Sequence, residues 1–329
     1  MTDTILEVEA LKKTFVAEKP SMFFGGQERL VHAIDGVDLS LTRGEVLALV
    51  GESGCGKSTL ALSVMGLEHP TSGKISFEGF DYARLDDAGM KRIRRRIQMI
   101  FQDPYEALNP TQSIEEIITE PLQVHGLAHG RDTLRKLAIH ALEDSGLKPA
   151  EIYLERYPHQ LSGGQRQRVV IAGALVLEPH LLVADEPVSM LDVSIRAEII
   201  NLLADLRRSR QISVIFITHD LGTVGYFADR IAVMYLGRIV EIGPTHAVLT
   251  NAAHPYTKAL LSVIPVPNPR LRRQRIILKG ETPNPIDIPP GCRFHPRCPV
   301  AYEQCKIIDP PLVEIMPGHT AACLMAKAK

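Results

Sequence analysis

The sequence predicts an α/β fold, and three observations support this prediction. An apolar run over residues 46–50 ends in a glycine-rich turn and is followed by a helical segment, 58–65. A second apolar run, 181–184, ends in two adjacent carboxylates, and residues 113–146 between the two runs have helical periodicity. Buried strands that alternate with helices are typical of a largely parallel sheet covered by helices.

Length and charge restrict the class of protein. The chain has 329 residues, which suggests about two domains, and 45% of them are hydrophobic, enough for a large core. Its 37 basic and 38 acidic residues give a net charge of −1, so no overall field attracts nucleic acid or an anionic membrane. No apolar run approaches the roughly twenty residues that cross a bilayer, and the N-terminus lacks the apolar stretch of a secretory signal. We therefore expect a soluble, intracellular chain that acts at a membrane only through partners.

The first eighty or so residues have patterns of strands and turns. Residues 34–41 alternate partly between apolar and polar side chains, which predicts a half-buried strand. Residues 22–27 contain glycine and are rich in phenylalanine, which predicts a loop, and residues 71–82 predict a turn followed by a short β ribbon.

The glycine-rich turn matches the pattern G-x-x-x-x-G-K-[ST], with Gly51, Gly56, Lys57 and Ser58 at the fixed positions. Backbone amides of such a turn point at a phosphate chain, and the following helix adds its positive N-terminus. Lys57 would reach the outer phosphates, and the Ser58 hydroxyl would ligate Mg²⁺. The alternative is a turn that only joins a strand to a helix, but the flanking elements favour a nucleotide phosphate site.

Five basic residues crowd into positions 91–96, around Ile93 and before Ile97. The two isoleucines are spaced as on one helix face, so this segment predicts a helix whose charged side faces solvent or a partner. Contact with nucleic acid is the alternative, and the balanced charge of the whole chain argues against it.

A strand and then a helical insert follow. The predicted strand over 97–101 ends at Gln102, whose amide is either an ordinary turn group or, beside a phosphate site, a ligand for Mg²⁺ or the attacking water. Ser113 and Glu116 form a capping box at the start of one helix, and residues 134–142 predict a second amphipathic helix.

The segment LSGGQRQR (161–168) opens a further predicted helix. Ser162 supplies a hydroxyl, and Gly163 and Gly164 supply unobstructed backbone amides at the helix N-terminus. This arrangement is either an ordinary N-cap or a second anion site.

The strand over 181–184 ends in Asp185 and Glu186. Ligands of parallel sheets collect at the carboxyl ends of the strands. Asp185 can hold Mg²⁺ through water, and Glu186 can polarise the water that attacks a γ-phosphate. The alternative is a turn capped by an acid, but the phosphate loop upstream favours chemistry.

Two more elements follow these carboxylates. Asp192 is placed to cap an amphipathic helix, and a buried strand over 213–217 is followed by His219. A single histidine after a strand is often structural, but this one is expected at the same sheet edge as Asp185. Residues 231–243 then have the pattern of a hairpin around Gly237.

Five elements in this order resemble the nucleotide-binding subunit of ABC transporters: GESGCGKS (51–58), Gln102, LSGGQ (161–165), LLVADE (181–186) and His219. The segments FQDPYEALNP, HPYTKALLS and a Pro-rich, Cys-bearing tail are similar to the oligopeptide/dipeptide importer branch. The resemblance implies a P-loop NTPase fold of ABC type over residues 1–264, with a helical subdomain at about 103–160 and a C-terminal extension over 265–329.

The resemblance also implies a role for each matching residue. Phe15 would stack on adenine in place of the more usual Tyr. The loop would wrap the phosphates of ATP with Gly51, Glu52, Ser53, Gly54, Cys55, Gly56, Lys57, Ser58 and Thr59. Asp185, Ser58 and Gln102 would bind Mg²⁺. Glu186 would act as general base, and His219 would contact the γ-phosphate. In a head-to-tail dimer, the ATP site of the opposite subunit would be completed by Ser162, Gly163, Gly164, Gln165 and the coupling loop that ends at Asp192.

The tail contains 12 of the 23 prolines in its 65 residues and is expected to be an irregular appendage. Four of the five cysteines lie there, Cys292, Cys298, Cys305 and Cys323, in the pattern C-x₅-C-x₆-C-x₁₇-C. In a reducing compartment such a cluster favours a metal over disulfides, but the spacing does not separate zinc from iron and sulfur. An accidental group of buried thiols is the remaining alternative. Resemblance to the dipeptide-importer branch implies a [4Fe-4S] cluster held by the four thiolates.

The partners implied by the resemblance are a second ABC ATPase, identical or paralogous, two membrane permease subunits and, indirectly, an extracytoplasmic solute-binding protein. The chain would then lie at the cytoplasmic face of the inner membrane. An ATPase subunit of an oligosaccharide or nickel importer of the same branch is one alternative. A soluble ABC-type ATPase that acts on nucleic acid, and a tail that senses redox state or metal, are the alternatives from other classes.

Overall fold

The computed structural model describes residues 3–18, 29–264 and 274–326, and the loop predicted over 22–27 lies outside them. The chain divides into two compact units. The first comprises Met1–Thr42, Val46–Arg84 and Ile217–Lys329, and the second comprises Arg43–Glu45 and Leu85–Phe216.

The elements follow one another in three stretches. The first stretch contains β1 (Thr4–Glu18), β2 (Arg29–Thr42), β3 (Val46–Val50), α1 (Lys57–Val64), β4 (Ser72–Phe77) and β5 (Phe80–Asp81). The second contains α2 (Asp87–Arg96), β6 (Ile97–Ile100), α3 (Pro104–Ala107), α4 (Ile114–Val124), α5 (Arg131–Asp144), α6 (Glu151–Leu154), α7 (Gly163–Leu175), β7 (Leu181–Asp185), α8 (Val193–Arg210) and β8 (Ser213–Thr218). The third contains α9 (Leu221–Phe227), β9 (Arg230–Tyr235), β10 (Arg238–Pro244), α10 (Thr245–Asn251), α11 (Pro255–Ser262), β11 (Val313–Met316) and β12 (His319–Ala321).

In the first unit, one sheet is antiparallel and has the order β2-β1-β4-β5. The half-buried strand predicted over 34–41 lies within β2, where buried and exposed side chains alternate towards the end of the strand. The predicted ribbon is the β4–β5 pair, in which Phe77 lies opposite Phe80. These two predictions are confirmed.

The other strands of the first unit have the order β11-β12-β10-β9-β3. All five residues of β3 are buried, and β3 runs parallel to β9. The predicted hairpin around Gly237 is β9–β10. The tail is less irregular than expected, because β12 pairs with β10 through Ala321 opposite Glu241 and Thr320 opposite Ile242. Strands of four and three residues are too short to show a period of two in the sequence.

In the second unit the strands have the order β8-β7-β6, and β6 and β7 are parallel. The predicted helical insert is present, and the capping box of α4 is complete: the Ser113 Oγ accepts from the Glu116 backbone N–H, while the Glu116 carboxylate accepts from the Ser113 N–H. Strand β6 ends at Ile100, so Gln102 lies two residues beyond the strand and not at its end. Among the described residues, no helix has the length and apolar character needed to cross a membrane.

A buried polar pair fixes the tail to the first unit. Glu241 of β10 and His319 of β12 both have no solvent exposure, and the His319 Nε2 lies 2.7 Å from the Glu241 Oε1. The same carboxylate accepts backbone hydrogen bonds from Ala253 at 2.7 Å and His254 at 3.0 Å. The Glu241 side chain therefore joins β10, β12 of the tail and the start of α11.

We expect Glu241→Ala to lower the free energy of unfolding by about 3 kcal/mol, because the buried His319 ring and two backbone N–H groups lose their partner. Urea denaturation measures the change. The matched control is Glu314→Ala, since the Glu314 carboxylate accepts a backbone N–H from Gly318 but is exposed. The control should change the free energy by about 0.5 kcal/mol or less, and equal losses in the two variants would contradict the role of burial.

Candidate functional site

The predicted phosphate loop is a tight turn between β3 and α1 that excludes side chains at two glycines. A Cβ on Gly51 would lie 2.2 Å from the carbonyl oxygen of Met234, and a Cβ on Gly56 would lie 2.2 Å from that of Ala33. Gly56 also has a φ of 106°, which residues with a Cβ rarely adopt. The loop therefore packs directly against the neighbouring backbone, and this packing fixes its shape.

Lys57, the first residue of α1, is buried at 6% exposure. Its Nζ donates to the carbonyl oxygens of Gly51 and Glu52, each at 2.9 Å. Within the described part of the chain, no side chain caps the amides at the start of α1, and Ser58 is exposed in its first turn. A cation, free helix amides and a hydroxyl thus meet in one loop, and this set of groups fits the phosphates of a nucleotide with a bound Mg²⁺.

The remaining loop residues differ in exposure. Ser53 and Gly54 are exposed, and Thr59 is partly exposed. Cys55 is buried, and burial raises the pKa of its thiol. Cys55 therefore packs as a neutral group inside the loop and is not a reactive thiolate.

Two further candidates of the first unit are an aromatic residue within a strand and a histidine that follows one. Phe15 of β1 is 37% exposed, and the Nζ of Lys13 lies 4.8 Å from the centre of its ring. His219 follows β8 and is exposed. The next residue, Asp220, caps α9 by accepting from the Gly222 N–H at 2.9 Å. The roles of Phe15 and His219 remain predictions.

In the second unit the structure brings together two residues that were predicted separately. Asp185 is the last residue of β7 and is buried, and Glu186 follows it with a φ of 45°. The Gln102 Nε2 donates to the Glu186 Oε2 at 3.3 Å. The turn continues with Ser189, whose Oγ donates to the Glu186 carbonyl at 3.0 Å. Glu186 thus has an uncommon backbone conformation, and its carboxylate accepts a hydrogen bond from the amide of Gln102, which follows β6.

The LSGGQ segment forms a helix cap. The Ser162 Oγ accepts from the Gln165 N–H at 3.3 Å, and the Gln165 Oε1 accepts from the Ser162 N–H at 3.0 Å. Ser162 is exposed, and Gly163 and Gly164 form the first turn of α7. Asp192 occupies the N-cap position of α8, but its side chain makes no capping hydrogen bond within the described residues. The capping interpretation of Ser162 is confirmed, and an anion site at the same place remains a prediction.

The four tail cysteines line one cavity of the first unit: Cys292, Cys298, Cys305 and Cys323. Burial, with a smaller contribution from the neighbouring cysteines, raises the pKa of Cys292 to about 11 against an opposing backbone hydrogen bond. His295 and His254 also line the cavity, and burial lowers the pKa of His254 to about 3. In residues 3–18, 29–264 and 274–326, no group of three or more Cys, His, Asp or Glu is arranged to hold a metal ion. The expected metal site is therefore not confirmed, although four soft sulfur donors suit zinc or an iron-sulfur cluster.

Sequence reasoning missed the side-chain partners of Glu52. Both terminal nitrogens of Arg297 donate to the Glu52 carboxylate, at 2.7 Å and 3.1 Å, and the Thr282 Oγ1 donates to it at 2.6 Å. Arg297 lies 245 residues away from Glu52 along the chain. No local pattern connects residues at that distance, so no signal in the sequence could have identified the pair.

Comparison with known proteins gives consistent results. The family described as ABC transporter matches residues 34–189, and the C-terminal region of the oligopeptide/dipeptide transporter family matches residues 240–305. An oligopeptide transport ATP-binding protein of Bacillus subtilis is 46% identical over 98% of this chain and 97% of its own length.

Two solved structures are similar in fold. A dimeric ATP-binding cassette in a post-hydrolysis state, bound to ADP and Pi, has a TM-score of 0.63 and 29% identity over 73% of this chain and 99% of its own. A component of an ABC transporter complex from Clostridium perfringens has a TM-score of 0.64 and 32% identity over 76% of this chain and 92% of its own.

We expect Gly56→Ala to lower the free energy of unfolding by about 3 kcal/mol, since the new methyl group meets the Ala33 carbonyl at a strained φ. The control is Gly173→Ala in α7, where a Cβ meets nothing within 4 Å. Helix propensity should make that variant more stable by up to about 1 kcal/mol. Chemical denaturation of both variants measures the changes. A neutral Gly56→Ala would contradict the close backbone approach.

Proposed function

The chain belongs to the ATP-binding subunits of ABC transporters, in the oligopeptide/dipeptide branch, and from this premise we propose that it hydrolyses ATP to drive the import of peptides. One observation supports the chemistry most directly: a turn that admits no side chain at Gly51 or Gly56 and is closed by the buried ammonium group of Lys57. The match of residues 240–305 to the oligopeptide/dipeptide C-terminal region supports the choice of peptide as cargo.

We propose that the loop and its neighbours bind the nucleotide as follows. Lys57 exchanges its bonds to loop carbonyls for bonds to the outer phosphates, and the amides at the start of α1 hold the same oxygens. Phe15 stacks on adenine. Ser58 and Asp185 hold Mg²⁺, which when bound offsets the charge of the phosphates.

Glu186 is proposed as the general base. Its carboxylate takes a proton from water, the water oxygen bonds to the γ-phosphorus, and the bond from that phosphorus to the ADP oxygen breaks. Support for this role is the contact with Gln102, because an amide that donates to the Glu186 Oε2 orients the carboxylate. His219 is proposed to contact the γ-phosphate as hydrolysis proceeds.

Closure of two such subunits is proposed to complete each ATP site. Ser162 would turn its hydroxyl, and Gly163 and Gly164 their amides, towards nucleotide bound by the other subunit, and the loop ending at Asp192 would couple the two sites. Support comes from the exposure of Ser162 at the start of α7 and from the dimeric state of the ADP-bound cassette that has a similar fold. The second subunit is an identical chain or a paralogue.

The proposed assembly contains two membrane permease subunits and, on the other side of the membrane, a solute-binding protein. The chain would bind peripherally at the cytoplasmic face of the inner membrane. We propose the ATPase domain as residues 1–264, with a helical subdomain at about 103–160, and the extension as 265–329. Co-purification of permease subunits that stimulate ATP hydrolysis would support this assembly, while stimulation by DNA alone would favour an ATPase that acts on nucleic acid.

A [4Fe-4S] cluster is proposed for the cysteine-lined cavity. Support comes from four thiols that share one cavity and from the resemblance of the tail to the dipeptide-importer branch. When bound, such a cluster would replace the thiol protons and would cross-link four positions of the extension. Zinc is the competing occupant.

We expect Glu186→Gln to bind ATP with nearly unchanged affinity and to hydrolyse it on the order of 10²-fold more slowly, because an amide does not accept the proton. Nucleotide binding and phosphate release are measured separately, and size-exclusion chromatography with ATP reports the closed dimer.

The control for this variant is Glu178→Gln. Glu178 is exposed before the start of β7 and also has a positive φ, of 52°, but lies outside the predicted site. Its turnover should match the unmodified protein. Full turnover in Glu186→Gln would remove Glu186 from the proposed role.

We expect protein purified without oxygen to contain iron and acid-labile sulfide, and Cys305→Ser to lose both. Cys55→Ser is the control, because Cys55 lies in the phosphate loop and should leave the iron content unchanged. Iron and sulfide assays and the visible spectrum provide the measurement. A colourless protein with stoichiometric zinc would contradict the cluster.

A further inference from the structure

We propose that Arg297 of the C-terminal extension is a positioning residue for nucleotide binding, because it holds the phosphate loop through the side chain of Glu52. This inference rests on the proposed function and adds to it a residue outside the motifs that bind ATP. The C-terminal extension would then help to fix the conformation of the phosphate loop.

The contact between Arg297 and Glu52 is bidentate, and Thr282 also binds the same carboxylate. Arg297 donates from one terminal nitrogen to the Glu52 Oε2 at 2.7 Å and from the other to the Oε1 at 3.1 Å. Thr282, also in the extension, donates to the Oε2 at 2.6 Å and accepts from Arg297 at 3.2 Å. Paired guanidinium–carboxylate bonds fix direction as well as distance.

The surroundings make this ion pair stronger than a surface pair. The Arg297 side chain is 9% exposed and that of Glu52 28%. Burial alone would raise the pKa of Glu52, but hydrogen bonds from Arg297 and Thr282 outweigh it and hold the pKa below its usual value. The carboxylate is therefore charged at neutral pH and bound to the extension.

The backbone of Glu52 transmits this restraint to the loop. The Glu52 N–H donates to the Tyr256 hydroxyl at 2.8 Å, and its carbonyl oxygen accepts from the Lys57 Nζ at 2.9 Å. Every polar group of Glu52 is thus engaged, and its carbonyl touches the cation expected to bind phosphate. A change in the Glu52 side chain must alter the position of the peptide that Lys57 contacts.

Arg297 is itself held in place by the cysteine-bearing segment. Its guanidinium lies 5.9 Å from the ring centre of Tyr235, within range of a cation–π interaction. Phe294, three residues earlier, is buried with its ring 5.2 Å from Tyr235 and 5.4 Å from Tyr256. The segment therefore packs as a rigid support for the phosphate loop. An arginine on a flexible surface segment would not hold Glu52 in one position.

The test compares Arg297→Gln, Glu52→Gln and the double variant. We expect each single variant to raise the KM for ATP and the dissociation constant of a fluorescent ATP analogue about tenfold, the usual size of a lost charged hydrogen bond. We expect kcat to change less than about threefold. Because both variants remove the same restraint, the double variant should lie within about threefold of the weaker single one.

The direction of the Glu52→Gln effect separates positioning from simple electrostatics. Removing a negative charge near the phosphates would strengthen nucleotide binding if only charge mattered, whereas removing Arg297 would weaken it. A positioning role predicts weakening in both. Thr282→Val, which changes no charge, should weaken binding in the same direction by a smaller factor, and Arg297→Lys should recover part of the affinity because it keeps one donor.

The matched control is Asp287→Asn, which removes a different ion pair of the extension, with Arg29 at 3.0 Å. It should leave the KM for ATP unchanged, and thermal unfolding of all variants identifies any general loss of structure. Values of KM within twofold of the unmodified protein for Arg297→Gln, opposite effects of the two single variants, or a hundredfold loss in the double variant would each overturn the inference. If the unmodified protein failed to bind or hydrolyse ATP, the proposed function itself would fail.

Discussion

The close passage of the phosphate loop against neighbouring backbone is the constraint on which the first unit depends. At Gly51 and Gly56 the loop approaches the carbonyl groups of Met234 and Ala33 so closely that no Cβ fits. Strand β3 is buried along its whole length and pairs with β9, so the point where the chain enters the loop is rigid. Lys57 then closes the turn from inside by bonding to its carbonyl groups. The shape that would receive phosphate is therefore formed by packing before any ligand arrives, which lowers the ordering cost of binding.

The C-terminal extension is bound to the rest of this unit by three kinds of interaction. Strand β12 continues the sheet through β10, the buried Glu241 and His319 pair fixes that strand pairing, and Phe294 enters the aromatic group of Tyr235 and Tyr256. A buried carboxylate is tolerated here because each oxygen accepts a backbone hydrogen bond. The extension therefore contributes to the core of the first unit, in which Phe294 packs with residues of β3 and β9.

The cysteine-lined cavity lies on the same segment as this aromatic group. Burial raises the pKa of Cys292 and Cys298, so their thiols keep their protons unless a metal replaces them. The Cys292 N–H donates to the Cys305 carbonyl at 2.9 Å, which joins two arms of the cavity through the backbone. The segment between Cys292 and Cys298 also contains Arg293, bound to Asp35, and Arg297, bound to Glu52. One short stretch of chain thus combines the lining of the cavity with two ion pairs to the body of the unit.

Much of the fold and the list of candidate residues followed from the sequence, because strands, helices, caps and the glycine-rich turn depend on neighbours within a few residues. The strand before Gly51, the capping box at Ser113, the N-cap at Ser162 and the carboxylates at the end of β7 are local patterns of this kind, and the structure contains them. The contacts of Gln102 with Glu186 and of Arg297 with Glu52 join residues 84 and 245 positions apart. The common cavity of the four cysteines and the two short strands of the tail are likewise products of chain folding. The sequence by itself determined which residues are equipped for phosphate chemistry; only the tertiary structure decided which distant side chains hold them in place, because hydrogen bonds and ion pairs depend on distance in space and leave no periodic trace along the chain.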